Sequence, residues 1–254
     1  MIKFNNAEES HAHSLKVLET LYEFDDFMES VSTMVDMGCG AGLDLEWWAT
    51  RTTRDDTPRP LNIRCYGIDQ QESLSVAKRV KNVYYRPQNF EEPIQEPKEN
   101  EKYDVVWSHD SFQHCVNPLA TLANWWHSMS PDGMLCIVVP QTTNLDNNDQ
   151  NFDSYDGCYY HWTVTTLIYA LAVNGFDCRG GFLNKQPQDP WIYAMVYKSE
   201  HAPMDPRKTK WFDLMEKNLI PESAVQSFTK YGYVRQKDLV LTWLDRSLTW
   251  LGQH

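Results

Sequence analysis

The chain has no apolar run long enough to span a bilayer, and its opening residues, Met1-Ile2-Lys3-Phe4-Asn5-Asn6, carry no apolar signal core. Neither a membrane span nor export is therefore expected. None of its six cysteines, at positions 39, 65, 115, 136, 158 and 178, forms a Cys-x-x-Cys pair. That excludes the usual zinc and thiol-redox signatures, and their mostly apolar settings read as reduced core cysteines of a cytoplasmic protein. Cations are also in deficit: 23 Lys and Arg stand against 35 Asp and Glu, a formal charge of −12. Duplex nucleic acid calls for clustered Lys and Arg, so it is not expected as the main partner. A soluble protein acting on a small molecule fits better, although the chain from residue 201 onward is slightly basic. There is no internal repeat.

The 254 residues suit one α/β domain with decorations, or one domain and a short subdomain. Thirteen tyrosines and ten tryptophans are more than a core of this size requires, so some are expected to line a pocket. The most informative stretch is Val35-Asp36-Met37-Gly38-Cys39-Gly40-Ala41-Gly42. A β-rich apolar segment, 32–37, runs into three glycines within five residues, and Leu43-Asp44-Leu45-Glu46-Trp47-Trp48 continues as the first turns of a helix. Glycines here admit positive φ and let a ligand lie against bare backbone. Taken alone the glycines can also be read as a simple tight turn. The next strand ends in Tyr66-Gly67-Ile68-Asp69, where a carboxylate can accept both hydroxyls of a ribose.

Further along, strands and helices alternate. Residues 8–28 read as a helix with Leu15, Leu18, Leu21 and Tyr22 on one face. It is either a plain covering helix or a lid that brings His11 or His13 near the site. Strands are expected at 63–68, 83–85, 103–107, 134–139, 176–183 and 192–197, with helices to about 53 and at 71–80, 119–129 and 163–173. Ser130-Pro131-Asp132-Gly133 reads as a turn, and the polar stretch 141–160 is too long for an ordinary connection and reads as a mobile gate. Such alternation implies a doubly wound sheet with its ligand at the carboxyl ends of the strands.

The glycines follow G-x-G-x-G, with Leu43 where a dinucleotide dehydrogenase would carry its third glycine, and Asp36 precedes the first. In this the chain resembles the class I, Rossmann-like S-adenosylmethionine-dependent methyltransferases of small molecules. The resemblance implies a mostly parallel seven-stranded sheet with an antiparallel last strand. It divides the chain into a helical cap at 1–30, a cofactor-binding core at 31–200 and a helical extension at 201–254, where Val240, Leu244, Leu248 and Leu251 keep helical spacing. It also implies the cofactor, S-adenosyl-L-methionine. Gly38, Gly40 and Gly42 would admit its methionine part, Asp36 would meet its amino group, Asp69 its ribose, and Gln70 would lie beside the adenine. Asn89 stands where the family usually has an aspartate for the adenine amino group, with Phe90 offering a backbone N–H; Asn89 is otherwise a turn residue.

Strand four ends in Ser108-His109-Asp110-Ser111-Phe112-Gln113-His114. This resembles the fourth motif of the small-molecule enzymes and, over a short span, the glycine- and sarcosine-type N-methyltransferases, which favours an amine acceptor. Ser108 and His109 would lie near the transferring methyl. His114 matches the family's common histidine, or else bonds backbone as a structural residue. A sulfonium methyl is already activated, so the chain must mainly align and dry the reactants. A base is needed only where the acceptor must lose a proton, and His109, His114 and His161 are the candidates. Without a supporting Cys or His cluster, His109, Asp110 and His114 are not read as metal ligands. Tyr159 and Trp162 either shape the acceptor pocket or anchor the helix that follows. A nicotinamide-dependent oxidoreductase and an inactive binding module remain the alternatives, and the acceptor and oligomeric state stay open.

Overall fold

The structure is a computed structural model that describes residues 7–24, 27–70, 80–141, 159–183 and 191–240. Helices α1 (Ala7–Phe24) and α2 (Phe27–Ser30) precede β1 (Thr33–Met37), α3 (Leu43–Ala49), β2 (Arg64–Asp69), β3 (Val83–Pro87) and β4 (Tyr103–His109). A 3₁₀ turn (Phe112–His114), α4 (Pro118–Ser128), β5 (Met129–Pro140), α5 (Val164–Val173), β6 (Phe176–Asp177), β7 (Phe182–Leu183) and β8 (Trp191–Lys198) follow, then α6 (Trp211–Glu216) and α7 (Glu222–Tyr231). The sheet runs β3-β2-β1-β4-β5-β8-β6, with β7 also paired to β8. The first five strands are parallel, and β8 is antiparallel to β5. The order reverses between β1 and β4, and a crevice opens there at the strands' carboxyl ends.

Strand parity sorts the core into two layers. Val35 and Met37 of β1, Val106 of β4, Leu135, Ile137 and Val139 of β5, and Ile192 and Val196 of β8 face one side. There they meet Leu122 and Trp125 of α4, Leu167, Ile168 and Leu171 of α5, Leu214 of α6, Leu219 and Ile220 of the connection after it, and Ala224 of α7. Met34, Val105, Trp107, Met134, Cys136 and Val138 face the other side, against Val17, Leu18 and Leu21 of α1 and Leu45 and Trp48 of α3. Strands buried on both faces read as near-continuous apolar runs, as these do. The helices begin where local chemistry satisfies their first N–H groups. Asn117 accepts from Ala120 N–H ahead of Pro118, and Thr163 and Thr166 form a reciprocal capping box.

Three expectations need correction. The single strand expected over 176–183 is two short ones, both on the edge of β8 away from β5. The break falls where Cys178 N–H turns to Leu219 O (2.9 Å) and Gly181 adopts φ +79. Counted as one interrupted strand, the pair keeps the sheet at seven positions. The helix after the glycine turn stops at Ala49 and not near 53, because the chain folds back there: Thr53 N–H bonds Arg59 O and Leu61 N–H bonds Arg51 O. The 130–133 turn lies inside the bounds of β5, where the register with β4 jumps between Tyr103 and Val105 and Asp132 takes φ +57. The helix expected at 71–80, nearly all of the proposed gate at 141–160, and the apolar spacing beyond Val240 lie outside the described residues. Among the described residues no helix is long and apolar enough to cross a membrane. Cys39, Cys65, Cys115, Cys136 and Cys178 are buried and unpaired by disulfides.

Trp125 joins the core to the loop carrying two site candidates. It is fully buried, lies 5.4 Å ring to ring from Phe112, and donates its indole N–H to Phe90 O at 2.9 Å. Trp125→Ala is expected to cost about 3–5 kcal/mol in denaturant unfolding, with Trp125→Phe costing clearly less. Equal losses in the two variants would show that the indole N–H, and not ring volume, is what matters.

Candidate active site

The turn after β1 is tied to the end of β2. Gly38 and Cys39 N–H both reach Ile68 O, at 2.8 and 3.2 Å, and Gly42 N–H closes the turn on Cys39 O at 2.8 Å. Gly38 has φ +81, and a Cβ there would lie 2.5 Å from Ser111 Cβ. Ser111 takes that space because its hydroxyl donates to Met37 O (2.5 Å) and pairs with Ser108 Oγ (2.8 Å). Gly40 differs: a Cβ there would meet nothing within 4 Å. Its missing side chain therefore leaves open space. The Gly40 N–H donates to Asp69 Oδ2 at 2.9 Å, which brings the end of β2 to the turn.

A cavity of about 200 Å³ lies over this turn. Its walls are Asp36 from β1, residues 38–41 and 43–44 of the turn and α3, His109 and Asp110 at the end of β4, and Ser10 and His11 of α1. The charges in it are sharply differentiated. Burial, with Asp44 and Asp69 nearby, pushes the Asp36 carboxyl well above the usual carboxylate range. No hydrogen bond to that carboxyl forms among the described residues. Asp44 is buried too, but its donors outweigh the burial and hold it below the usual range. His11 Nδ1 (2.6 Å) and Ser14 Oγ (2.6 Å) meet its Oδ1, and Trp107 Nε1 (2.9 Å) meets its Oδ2. Burial also raises Asp110, against the bond from Gln113 Nε2 at 2.6 Å.

Beside the carboxylates stands a histidine pair. His109 Nε2 and His13 Nδ1 are 2.8 Å apart, and His13 Nε2 lies 3.1 Å from Tyr193 Oη. On the cavity side Ser10 Oγ is 3.4 Å from His109 Nδ1. Burial lowers His109 to about 4 and, with His109 as neighbour, lowers His13 to about 3. Both imidazoles are thus neutral at physiological pH.

The residues anticipated from sequence are distributed unevenly. Asp36, Gly38, Gly40 and His109 line the cavity, and Asp69 adjoins it through Gly40. Gly42 sits at the start of α3 with φ +80, and Gln70 is exposed just past β2. Asn89 accepts the Glu91 N–H at 3.0 Å, which closes its own turn. Phe90 packs near Gly38 and Trp125. Ser108 is fully buried behind the turn, on Ser111. His114 is exposed on the 3₁₀ turn and His161 is half-buried beside the Gln141–Trp162 bridge; neither lines the cavity. Ser10, Asp44 and Asp110 were not anticipated as lining, and His11 was anticipated near the site only through the lid reading of α1. The only sequence signal for α1 was its consideration as a lid, and for Asp44 its place in the first turn after the glycines.

A family model described as a methyltransferase domain matches residues 35–135. Among solved structures, a Galdieria sulphuraria protein provisionally named a sarcosine dimethylglycine methyltransferase aligns with TM-score 0.56 at 12% identity, over 77% of this chain and 89% of that one. A provisionally named S-adenosylmethionine-dependent methyltransferase of Listeria monocytogenes gives 0.50 at 19%, over 72% and 97%. The N-methyltransferase NodS of Bradyrhizobium japonicum, in complex with S-adenosyl-L-homocysteine, gives 0.50 at 14%, over 77% and 90%. The fold is that of the class I methyltransferases. No curated protein is similar enough in sequence to count as a match.

The raised Asp36 carboxyl has a signed consequence. Folded chain holds this proton more tightly than unfolded chain, so its contribution is full below the unfolded carboxylate range and is lost as pH rises through the folded value. At neutral pH Asp36→Asn is therefore expected to raise the Tm of the ligand-free protein. Thermal unfolding across the acid-to-neutral range checks this; a lower Tm for the variant at pH 7 would contradict it.

Proposed function

We propose that the protein is a cytoplasmic S-adenosylmethionine-dependent methyltransferase whose acceptor is a small molecule, most consistent with a small amine. The observation that carries the reading is Gly40, whose absent Cβ opens onto the cavity while its N–H holds Asp69 at the end of β2. The residues present fit the cofactor. Asp36 offers a buried carboxyl to an amino group, and an ammonium there would reverse the cost of its burial. Gly38, Gly40 and Gly42 let backbone approach the methionine part, Asp69 takes the ribose, and Gln70, Asn89 and Phe90 flank the adenine. Asn89 Oδ1 has a second lone pair beyond the one given to Glu91. When bound, the cofactor supplies a methyl already activated on sulfonium sulfur. The chain aligns it with the acceptor, excludes water, and provides a neutral imidazole, His109, to take a proton. Ser108 supports the turn from behind, and His114 and His161 belong to the acceptor side of this reading.

Three features favour an amine. The formal charge is −12. Two similar folds carry names of N-methylating or amine-methylating enzymes. Near the 3₁₀ turn, Tyr160 stacks on Trp162 and Trp162 on Phe112, at 5.8 and 5.2 Å, while Tyr159 and Tyr160 N–H both bond Gln113 O. An ammonium over such faces gains about 0.5–2 kcal/mol.

Asp69→Ala is expected to weaken S-adenosylhomocysteine binding by about 1.5–3 kcal/mol, roughly 10- to 150-fold. At Gly40 (φ +48) a Cβ would meet nothing but would strain the backbone by about 1–2 kcal/mol, so Gly40→Ala should be somewhat less stable, still fold, and lose most of that affinity. Titration calorimetry on both folded variants checks this, and wild-type affinity in either would sink the cradle.

A screen of small amines against sugars and phenols, read as S-adenosylhomocysteine release, is expected to give turnover with amines. Turnover confined to hydroxyl compounds would discard the amine. Tight cofactor binding without any turnover would favour an inactive binding module.

A further inference from the structure

The methyltransferase reading needs one proton acceptor, yet the structure builds a chain of three groups from three elements. His109 ends β4, His13 belongs to α1, and Tyr193 to β8. We propose that His13 is a positioning residue for His109: it accepts the Nε2–H of His109, so that Nδ1 keeps its lone pair on the cavity side, and it passes the proton taken there on to Tyr193. This rests on the methyltransferase reading of the same cavity.

A chain of these bonds can run in either of two directions. In one, Ser10 O–H donates to His109 Nδ1, His109 Nε2–H to His13 Nδ1, and His13 Nε2–H to Tyr193 Oη. In the other, every bond is reversed, starting from Tyr193 O–H. The first leaves a basic nitrogen at the cavity that only the long Ser10 contact of 3.4 Å touches on that side; the second covers it with a proton. Uptake of a proton at Nδ1 converts the first into the second, and no ring has to remain charged. That resolves the conflict between a base and its burial, because desolvation disfavours imidazolium at both rings. Among the charged and titratable neighbours are Asp44 and His11 beside His109, and Lys16 and Asp44 beside His13. Tryptophans fix the ring planes: Trp107 lies within 5° of parallel to His109, Trp191 lies 19° from it, and Trp191 is also 4.9 Å from His13.

The atoms balance. The new C–N bond uses the amine lone pair, and the C–S pair stays on sulfur. The resulting ammonium gives its N–H proton to His109 Nδ1. His109 Nε2–H moves to His13 Nδ1, His13 Nε2–H moves to Tyr193 Oη, and the tyrosine's own proton leaves to solvent, which the half-buried Tyr193 reaches. Water admitted once product departs resets the direction.

The test is long-range ¹⁵N NMR of the histidine rings in the full chain, with S-adenosylhomocysteine as the probe. Expected for wild type is a His109 ring protonated at Nε2 and bare at Nδ1. His13→Phe should abolish that preference, and His13→Asn, whose amide oxygen can accept the Nε2–H, should restore it. A wild-type His109 protonated at Nδ1 would overturn the proposal, as would an unchanged tautomer in His13→Phe. Should His13→Phe not fold, the wild-type spectrum and His13→Asn decide. Calorimetry on the same samples separates the two readings: failure to bind S-adenosylhomocysteine sinks the methyltransferase, whereas the tautomer alone sinks the relay.

Discussion

The carboxylate of Asp44 is the constraint on which the rest of the site depends. A buried carboxylate costs several kcal/mol unless donors replace its water. Asp44 obtains them from two other elements, His11 and Ser14 on α1 and Trp107 on β4. Helix α3, helix α1 and strand β4 are therefore locked by one side chain. Docking of α1 is the condition under which α3 can start beneath the cavity with a charge in its first turn. Because Ser10 and His13 ride on the same helix, docking also delivers them to His109. A helix that by composition is a cover thus becomes a wall of the site.

Two carboxylates eight positions apart then behave oppositely for a stated reason. Asp44 collects donors and is held ionised, while Asp36 faces the cavity without them and is pushed toward its neutral form. Pairs of acids whose environments drive them apart mark division of labour. Asp44 is the fixed anion of the scaffold. Asp36 is the acid whose cost a cationic ligand group would relieve, which places the demand for a ligand at the end of β1.

What the sequence made legible was local. The glycine turn, the acid ending β2 and the strand–helix alternation each lie within a dozen residues, and each is where the pattern places it. What it hid was partnership across long separations. Helical spacing in α1 marks Leu18 and Leu21 as buried but cannot say that His13 meets His109, 96 residues away. Asp44 looked like an ordinary first-turn acid because its acceptor role depends on Trp107, 63 residues on. Strand six was misread as continuous because periodicity carries no trace of Leu219 O drawing Cys178 N–H out of the ladder. Asn89 and Ser108 illustrate the converse: residue type fits a ligand contact, yet each side chain already has a structural partner.

The environment of the histidines also limits the chemistry that can occur there. Trp107 and Trp191 stack on the buried His109, and Trp191 lies against the half-buried His13; in low dielectric hydrogen bonds strengthen while isolated charges become costly. Neutral donors and acceptors are the groups such a place supports. The proposed methyl transfer from sulfonium to a neutral amine would suit it, since the positive charge would not be created but relocated from sulfur to nitrogen, in view of Asp36, Asp44 and Asp110. In that reading the ionised Asp44 would favour that charge, and the neutral imidazole would act only at the end, when the proton must go.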